Sequence, residues 1–204
     1  MAFPLELTAV LSGATARQLR LWRGRGILVP EINRDNPALY SYRDVVALRT
    51  IAFLRSRTSM QNIGKAFHSM QKLQFTEHPA TYSFGLSGTS IVFKTPEGIT
   101  LDLSRNVGQM MLFTLEEIFE PYTNRRNETV VDFRHPKPHI EVDRGRLGGW
   151  PTIERTRISY DTIASLVDGD TVRPEEVAYY YPNVSEAAAQ DAVDFASMVK
   201  AAAA

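Results

Sequence analysis

Cysteine is absent from the 204 residues, which excludes a disulfide framework, a thiolate zinc site and a cysteine nucleophile, and agrees with a reducing compartment. No stretch nears the eighteen or so consecutive apolar residues that a bilayer span needs. The N-terminus also lacks the basic start and apolar run of a signal peptide. A soluble, cytoplasmic chain is the expectation, with no membrane partner. There is no phosphate-cradling glycine loop, no triad spacing around a histidine and no carboxylate pair with an identifiable base, so no enzymatic role and no cofactor are expected. His135 and His139 stand four apart, but Pro136 and Pro138 forbid the helix that would bring them onto one metal.

Net charge is missing too: 23 Lys and Arg balance 23 Asp and Glu. That balance hides an asymmetry. Residues 1–72 hold 11 basic against 4 acidic residues, a charge of +7, and the remainder holds 12 against 19, a charge of −7. The basic third suits a polyanion through long-range attraction and counterion release. The acidic remainder suits a protein partner.

The stretch Leu7–Leu28 has the form of a helix-turn-helix. Leu7, Val10 and Leu11, then Leu19 and Trp22, recur at the three-and-four spacing of a helical face, and Ser12-Gly13 separates the two runs. Thr15 is suited to cap the second helix, which carries Arg17, Gln18, Arg20 and Arg23 between its apolar positions. Arg can read guanine and Gln adenine through paired hydrogen bonds in the major groove. Arg23-Gly24-Arg25-Gly26 then stops the helix. Two short extended pieces, Ile27–Pro30 and Leu39–Ser41, flank a polar tip and predict a wing. Helical periods return over Tyr42–Leu54, with Arg43, Arg49 and Arg55 off the apolar face, and over Ser59–Leu73.

This order, with its Thr-Ala-Arg-Gln-Leu-Arg helix, Gly-Ile-Leu strand and Leu-Tyr-Ser before Asp44, resembles the winged-helix DNA-binding domain of the MerR family over roughly Leu5–Leu73. The resemblance implies that the second helix enters the major groove while the wing rests on phosphates. Pro37 and Ala38 stand where that family often has aromatic and Arg wing residues, and Leu21-Trp22 where two tyrosines are common. Arg23, Arg25 and Arg34 would then carry more of the phosphate contact, beside Thr15, Arg17, Gln18 and Arg20.

The middle third predicts a β-hairpin, Ile91–Lys94 and Ile99–Leu103 around a Thr-Pro-Glu-Gly turn, with a further strand near Tyr82–Leu86. A capping box at Thr114–Glu117 opens a short helix. Residues 74–122 thus read as a small α/β unit for dimerisation or spacing. Residues 123–148 are polar and Pro-rich and read as an extended linker with one strand at Val130-Val131.

From residue 149 three helical segments are expected. The first follows Ser159, buries Ile163, Leu166 and Val167 and stops at Gly169. The second starts at Pro174 and buries Val177 and Tyr180. The third is capped by Ser185 and carries Ala188, Ala192, Phe195 and Ala196 as its stripe. The motif Gly149, Pro151, Ile153, Thr156, Arg157, Ile158, then Pro174-Glu175-Glu176 and Tyr181-Pro182, resembles a small three-helix domain of type II antitoxins. Arg155 departs from it, standing where Gly is common. Head and tail together are similar to VapB-type antitoxins of mycobacteria.

The fold class expected is α+β, mainly α: a winged helix (1–73), an α/β unit (74–122), a linker (123–148) and a three-helix domain (149–204). The resemblance implies an antitoxin that neutralises a PIN-domain ribonuclease toxin and represses its own operon at operator DNA. It would act as a homodimer within a larger toxin-antitoxin assembly. Phe195, Met198 and Lys200 near the chain end are the candidate toxin contacts. The alternative is a stand-alone MerR-like regulator with a sensing C-terminal part, although the middle offers no heptad run for the coiled coil usual there.

Overall fold

The computed structural model describes residues 1–73, 75, 77–102, 110–167 and 171–203. It is a mixed α/β chain, helical at both ends with its main sheet between them. Helices α1 (Leu5–Ser12) and α2 (Ala16–Gly24) form the helix-turn-helix. Between them Gly13 adopts φ +74° and its N–H closes on the Ala9 carbonyl at 3.0 Å, the left-handed helix stop that glycine accepts without penalty. Helix α3 (Tyr42–Arg57) is the central element, buried on every side from Asp44 to Leu54. A polar ladder on one edge would have kept it amphipathic; instead at least five other segments pack around it. Helix α4 (Met60–Lys72) turns Ile63, Ala66, Phe67 and Met70 inward.

The wing differs from its expected pairing. Strand β2 (Leu39–Tyr40) pairs not with Ile27-Leu28 but with β1 (Phe3–Pro4), Phe3 opposite Tyr40. Pro30 lacks the N–H that a continuing ladder would need, and the polar loop is closed by reciprocal backbone bonds between Asn33 and Leu39.

The middle unit is a four-stranded antiparallel sheet in the order β5-β4-β3-β6, with β3 Ser83–Ser87, β4 Ser90–Lys94, β5 Thr100–Asp102 and β6 Met110–Leu112. The anticipated Leu103 end of β5 lies outside the described residues. Helix α5 (Leu115–Phe119) begins at the Thr114 capping box. Arg49, anticipated on a solvated helix edge, is fully buried. Its guanidinium donates to the carbonyls of Ile118 (2.8 Å), Leu11 (3.3 Å), Phe119 (3.0 Å) and Glu120 (2.8 Å), and its carbon centre sits 4.8 Å from the Tyr122 ring centroid. One side chain thus ties the head to the end of α5. Burial lowers its pKa to about 10, so it stays charged at neutral pH.

Residues 123–148 run through short strands joined by turns, and they pack rather than hang free. Strands β7 (Tyr122–Thr123) and β8 (Thr129–Val130) form a hairpin, and β9 (Ile140–Glu141) pairs with β10 (Thr152–Ile153). Val130, Phe133, Ile140 and Val142 are buried. Four apolar side chains spaced through a polar stretch supply anchors without producing a periodic signal.

The tail holds α6 (Tyr160–Leu166), a 3-10 turn over Pro174–Tyr179 and α7 (Glu186–Ala201). The expected stop at Gly169 lies outside the described residues. The second segment is 3-10 rather than α, and Tyr180, expected inside, is 59% exposed, so Val177 alone of that pair anchors it. Gly149 has φ +88°, and a Cβ there would fall 2.2 Å from Cδ2 of Tyr42 at the start of α3. Trp150 lies between Phe3 and Tyr160, at centroid distances of 5.6 and 6.4 Å. The start of the C-terminal motif therefore docks directly on the head. Arg155, where Gly was expected, keeps a left-handed backbone at φ +57°.

Candidate nucleic-acid interface

Helix α2 begins where Thr15 leaves the extended region. The Thr15 hydroxyl accepts from the Gln18 N–H at 3.2 Å, and Oε1 of Gln18 accepts from the Thr15 N–H at 2.8 Å, a reciprocal cap that satisfies two orphan donors. Ala16, Leu19 and Trp22 face inward and are buried; Arg17, Arg20, Leu21 and Gly24 face outward and are exposed. Thr15 and Gln18 therefore act on the helix itself, and a bidentate grip on adenine by Gln18 would require its Oε1 to leave the cap. Arg17 and Arg20 are the cations of this exposed face that the cap leaves free.

The wing arginines are engaged within the wing. Nη1 of Arg23 donates to the Arg34 carbonyl at 2.8 Å and lies 3.6 Å from Asp35, while Arg34 lies 3.8 Å from the same carboxylate. Exposed pairs of this kind are worth about 0–1 kcal/mol and yield readily to a phosphate. Arg25, just past the helix, is exposed and has no carboxylate partner among the described residues.

The wing base rests on Asp44, which is fully buried. Its Oδ2 accepts from the N–H groups of Glu31 (2.9 Å) and Ser41 (2.8 Å), and its Oδ1 lies 3.0 Å from Nε2 of His78. Glu31 in turn takes hydrogen bonds from the Ser41 hydroxyl and the Arg43 guanidinium. Burial opposes ionisation of Glu31, but those two bonds outweigh it and hold its carboxyl below the ordinary value. Glu31, Asp44 and His78 offer ligand atoms within 4.8 Å of one another. Every carboxylate oxygen in the group already has a protein partner, so the cluster reads as the wing's anchor.

A second basic element comes from outside the helix-turn-helix. At the tip of the β7–β8 hairpin, Oδ1 of Asn124 accepts from the N–H groups of Arg126 (2.8 Å) and Glu128 (3.1 Å), and Asn127 turns the chain at φ +61°. That turn projects Arg125 and Arg126. The hairpin base is seated on the helix-turn-helix itself: a Cβ on Gly13 would lie 2.4 Å from Cγ1 of Val130 and 2.9 Å from the Tyr122 hydroxyl. The tip therefore lies beside the start of α2, and Arg55, Arg125 and Arg126 share a small cleft of about 50 Å³ with Thr15, Gln18 and Asn124. Burial lowers the pKa of Arg55, and repulsion from Arg125 and Arg126 lowers it further.

Among the described residues, Arg17, Arg20, Arg25, Arg55, Arg125 and Arg126 have no carboxylate within ion-pairing distance. Uncompensated guanidiniums set beside an exposed helix face attract a polyanion, and planar guanidinium suits phosphate oxygens. Arg55, Arg125 and Arg126 were not anticipated as contacts. The sequence did hold a signal: Asn-Arg-Arg-Asn between the β-forming pairs Tyr122-Thr123 and Thr129-Val130 is a turn that displays two cations.

At the other end of the molecule, Phe195 is fully buried and packs edge-on against Tyr160 at 4.8 Å, which corrects its expected place on a partner-facing surface. Phe completes the tail core because α7 crosses α6 there. Met198 is half-buried and Lys200 exposed. In the motif, Ile153 is buried and its carbonyl accepts from the Thr156 hydroxyl at 2.9 Å, while Arg155 and Arg157 are exposed. No described helix is long and apolar enough to cross a membrane.

Comparison with known proteins finds matches at the two ends of the chain. Residues 6–69 match the family described as MerR HTH family regulatory protein, and residues 140–196 match a family described as a protein of unknown function, DUF433. No curated protein matches the chain. Among solved structures, the chain is similar to the X-ray crystal structure of Rv2018 from Mycobacterium tuberculosis, at 13% identity and a TM-score of 0.52, over 94% of this chain and 96% of that one. At that identity the likeness is one of fold, and it spans head, middle and tail together. The chain thus carries a MerR-family helix-turn-helix segment at its N-terminus and a DUF433 segment at its C-terminus, the two packed against each other through Gly149 and Tyr42.

Proposed function

We propose that this chain is a DNA-binding transcription regulator, non-enzymatic, that reads the major groove with Arg17 and Arg20 of α2. Arg25, Arg55, Arg125 and Arg126 grip the flanking phosphates. The observation that carries the reading is the row of unpaired arginines on the exposed side of a helix-turn-helix. A homodimer on a two-fold operator follows from the size of one recognition helix, which covers only a half-site. The finer reading makes the chain an antitoxin whose DUF433 segment binds a PIN-domain ribonuclease, with Met198 and Lys200 as contacts. What supports it is the likeness of the Gly149–Ile158 and Pro174–Pro182 motifs to antitoxin tails.

Gel shifts on the DNA upstream of its own gene test the first reading. Removing Arg17 should lower specific affinity by about 1–3 kcal/mol. Arg125→Gln with Arg126→Gln should weaken all sequences alike and flatten the salt dependence by about two phosphate contacts. Binding that ignores both sets of changes would refute this interface. For the finer reading, the neighbouring gene's product should co-purify with this chain and lose its ribonuclease activity; failure of both leaves a lone regulator.

A further inference from the structure

A cavity of about 620 Å³ opens between α2, the β7–β8 hairpin and the end of α7. Its floor is apolar, built from Val10 of α1, Val130 and Val131 of the hairpin, and Met198 of α7, with Ala201 at the rim. Its mouth carries Arg17, Arg20 and Arg126. Sites for small organic molecules typically measure about 300–1,000 Å³ and combine such a floor with a few convergent polar groups. The small side chains of Ala9, Ala201 and Ala202 leave the space open, whereas a closed interior would be filled to crystal-like density.

The charges at the mouth select the ligand. Among the described residues none of the three guanidiniums has a carboxylate partner. The acid that shares the mouth, Glu128, is held by the Asn124 side-chain amide at 2.9 Å. Three cations against one anion leave a surplus of two positive charges, which draws a carboxylate or sulfonate into paired hydrogen bonds with the guanidiniums. The apolar floor would take an aryl or alkyl body. We infer that this cavity binds an amphipathic organic anion, and that the bound anion competes with DNA for Arg17 and Arg20.

The second half of that statement rests on the DNA-binding reading above; the first half does not. A ligand in the cavity engages Arg17 and Arg20 and lies along the flank of α2. DNA affinity therefore falls by the factor 1 + [L]/Kd as the anion is added. The site is built from head, hairpin and tail at once, so its occupancy reports on all three.

The probe is 8-anilinonaphthalene sulfonate, an aryl anion that fluoresces on leaving water, titrated into the full chain, with sodium decanoate as competitor. Saturable binding at one site per chain is expected. Ala201→Trp fills the cavity from an exposed position at the end of α7, and Arg126→Gln removes one cation. Each should weaken binding about tenfold with the far-ultraviolet circular dichroism unchanged. A Kd within twofold of the parent in both variants, or no saturable binding, overturns the site, even if the chain binds its operator normally. Binding that obeys both variants in a chain that binds no DNA keeps the site and refutes the DNA reading. If the parent binds both and the probe leaves the gel-shift midpoint unmoved, the competition is overturned.

Discussion

Replacing Arg49 by Met should destabilise the protein by about 3–5 kcal/mol, the range for breaking a buried charged network. The guanidinium makes three bonds of 2.8–3.0 Å and a longer one at 3.3 Å, all to carbonyls. Hydrogen bonds from a charged donor contribute about 1.5–3 kcal/mol each, which burying an unpaired cation offsets in part. Phe119 keeps a second donor for its carbonyl, the N–H of Phe133 at 2.8 Å. Ile118 would have none from a methionine, and a buried carbonyl without a partner costs about 1–3 kcal/mol. Methionine preserves much of the volume, so the loss measures the polar network rather than a cavity. Urea unfolding followed by tryptophan fluorescence should show the midpoint falling by about 1.5–2.5 M at an m-value near 2 kcal/mol/M. Lysine should recover only part of the loss, since a point charge cannot reach carbonyls on both sides of the fork. A loss below about 1 kcal/mol, or full rescue by lysine, would refute the idea that this side chain clamps the middle of the chain to the head.

Gly13→Ala should cost about 3 kcal/mol, from a left-handed backbone and the overlap with Val130; thermal unfolding measures it, and a neutral result would mean that the hairpin is not seated on the turn. Arg155→Gly should be neutral or stabilise by up to about 1 kcal/mol, because φ +57° penalises any side chain; a clear loss of stability would contradict this. Burial raises the pKa of Tyr122 and of Tyr160 to about 12. Since the unfolded chain ionises its tyrosines near 10, the two groups contribute stability fully below about pH 10, and it is lost as pH rises through 12. Burial also raises the pKa of Tyr40, Tyr42 and Tyr82, so tyrosinate absorbance should show five of the eight tyrosines titrating above the ordinary value, and Tyr160→Phe should remove one of them.

The parts of this protein legible in its sequence are those specified by neighbours within a few residues. The α1–α2 pair, the caps at Thr15, Thr114 and Ser185, the β4–β5 hairpin and the inward faces of α4 and α7 all follow from period, capping and turn chemistry. The basic character of the first third, and the exposed positions of Arg17 and Arg20, follow in the same way. Tertiary packing decided the rest. Whether an arginine on a helix edge meets water or four carbonyls depends on residues about seventy positions away, as at Arg49. Whether Phe195 faces a partner or a core depends on α6 crossing α7. Arg125 and Arg126 become part of the candidate interface only because Gly13 admits Val130 against the helix-turn-helix. Local energetics fix which elements form; long-range burial, which leaves no periodic trace in a chain, fixes which side chains remain free to act.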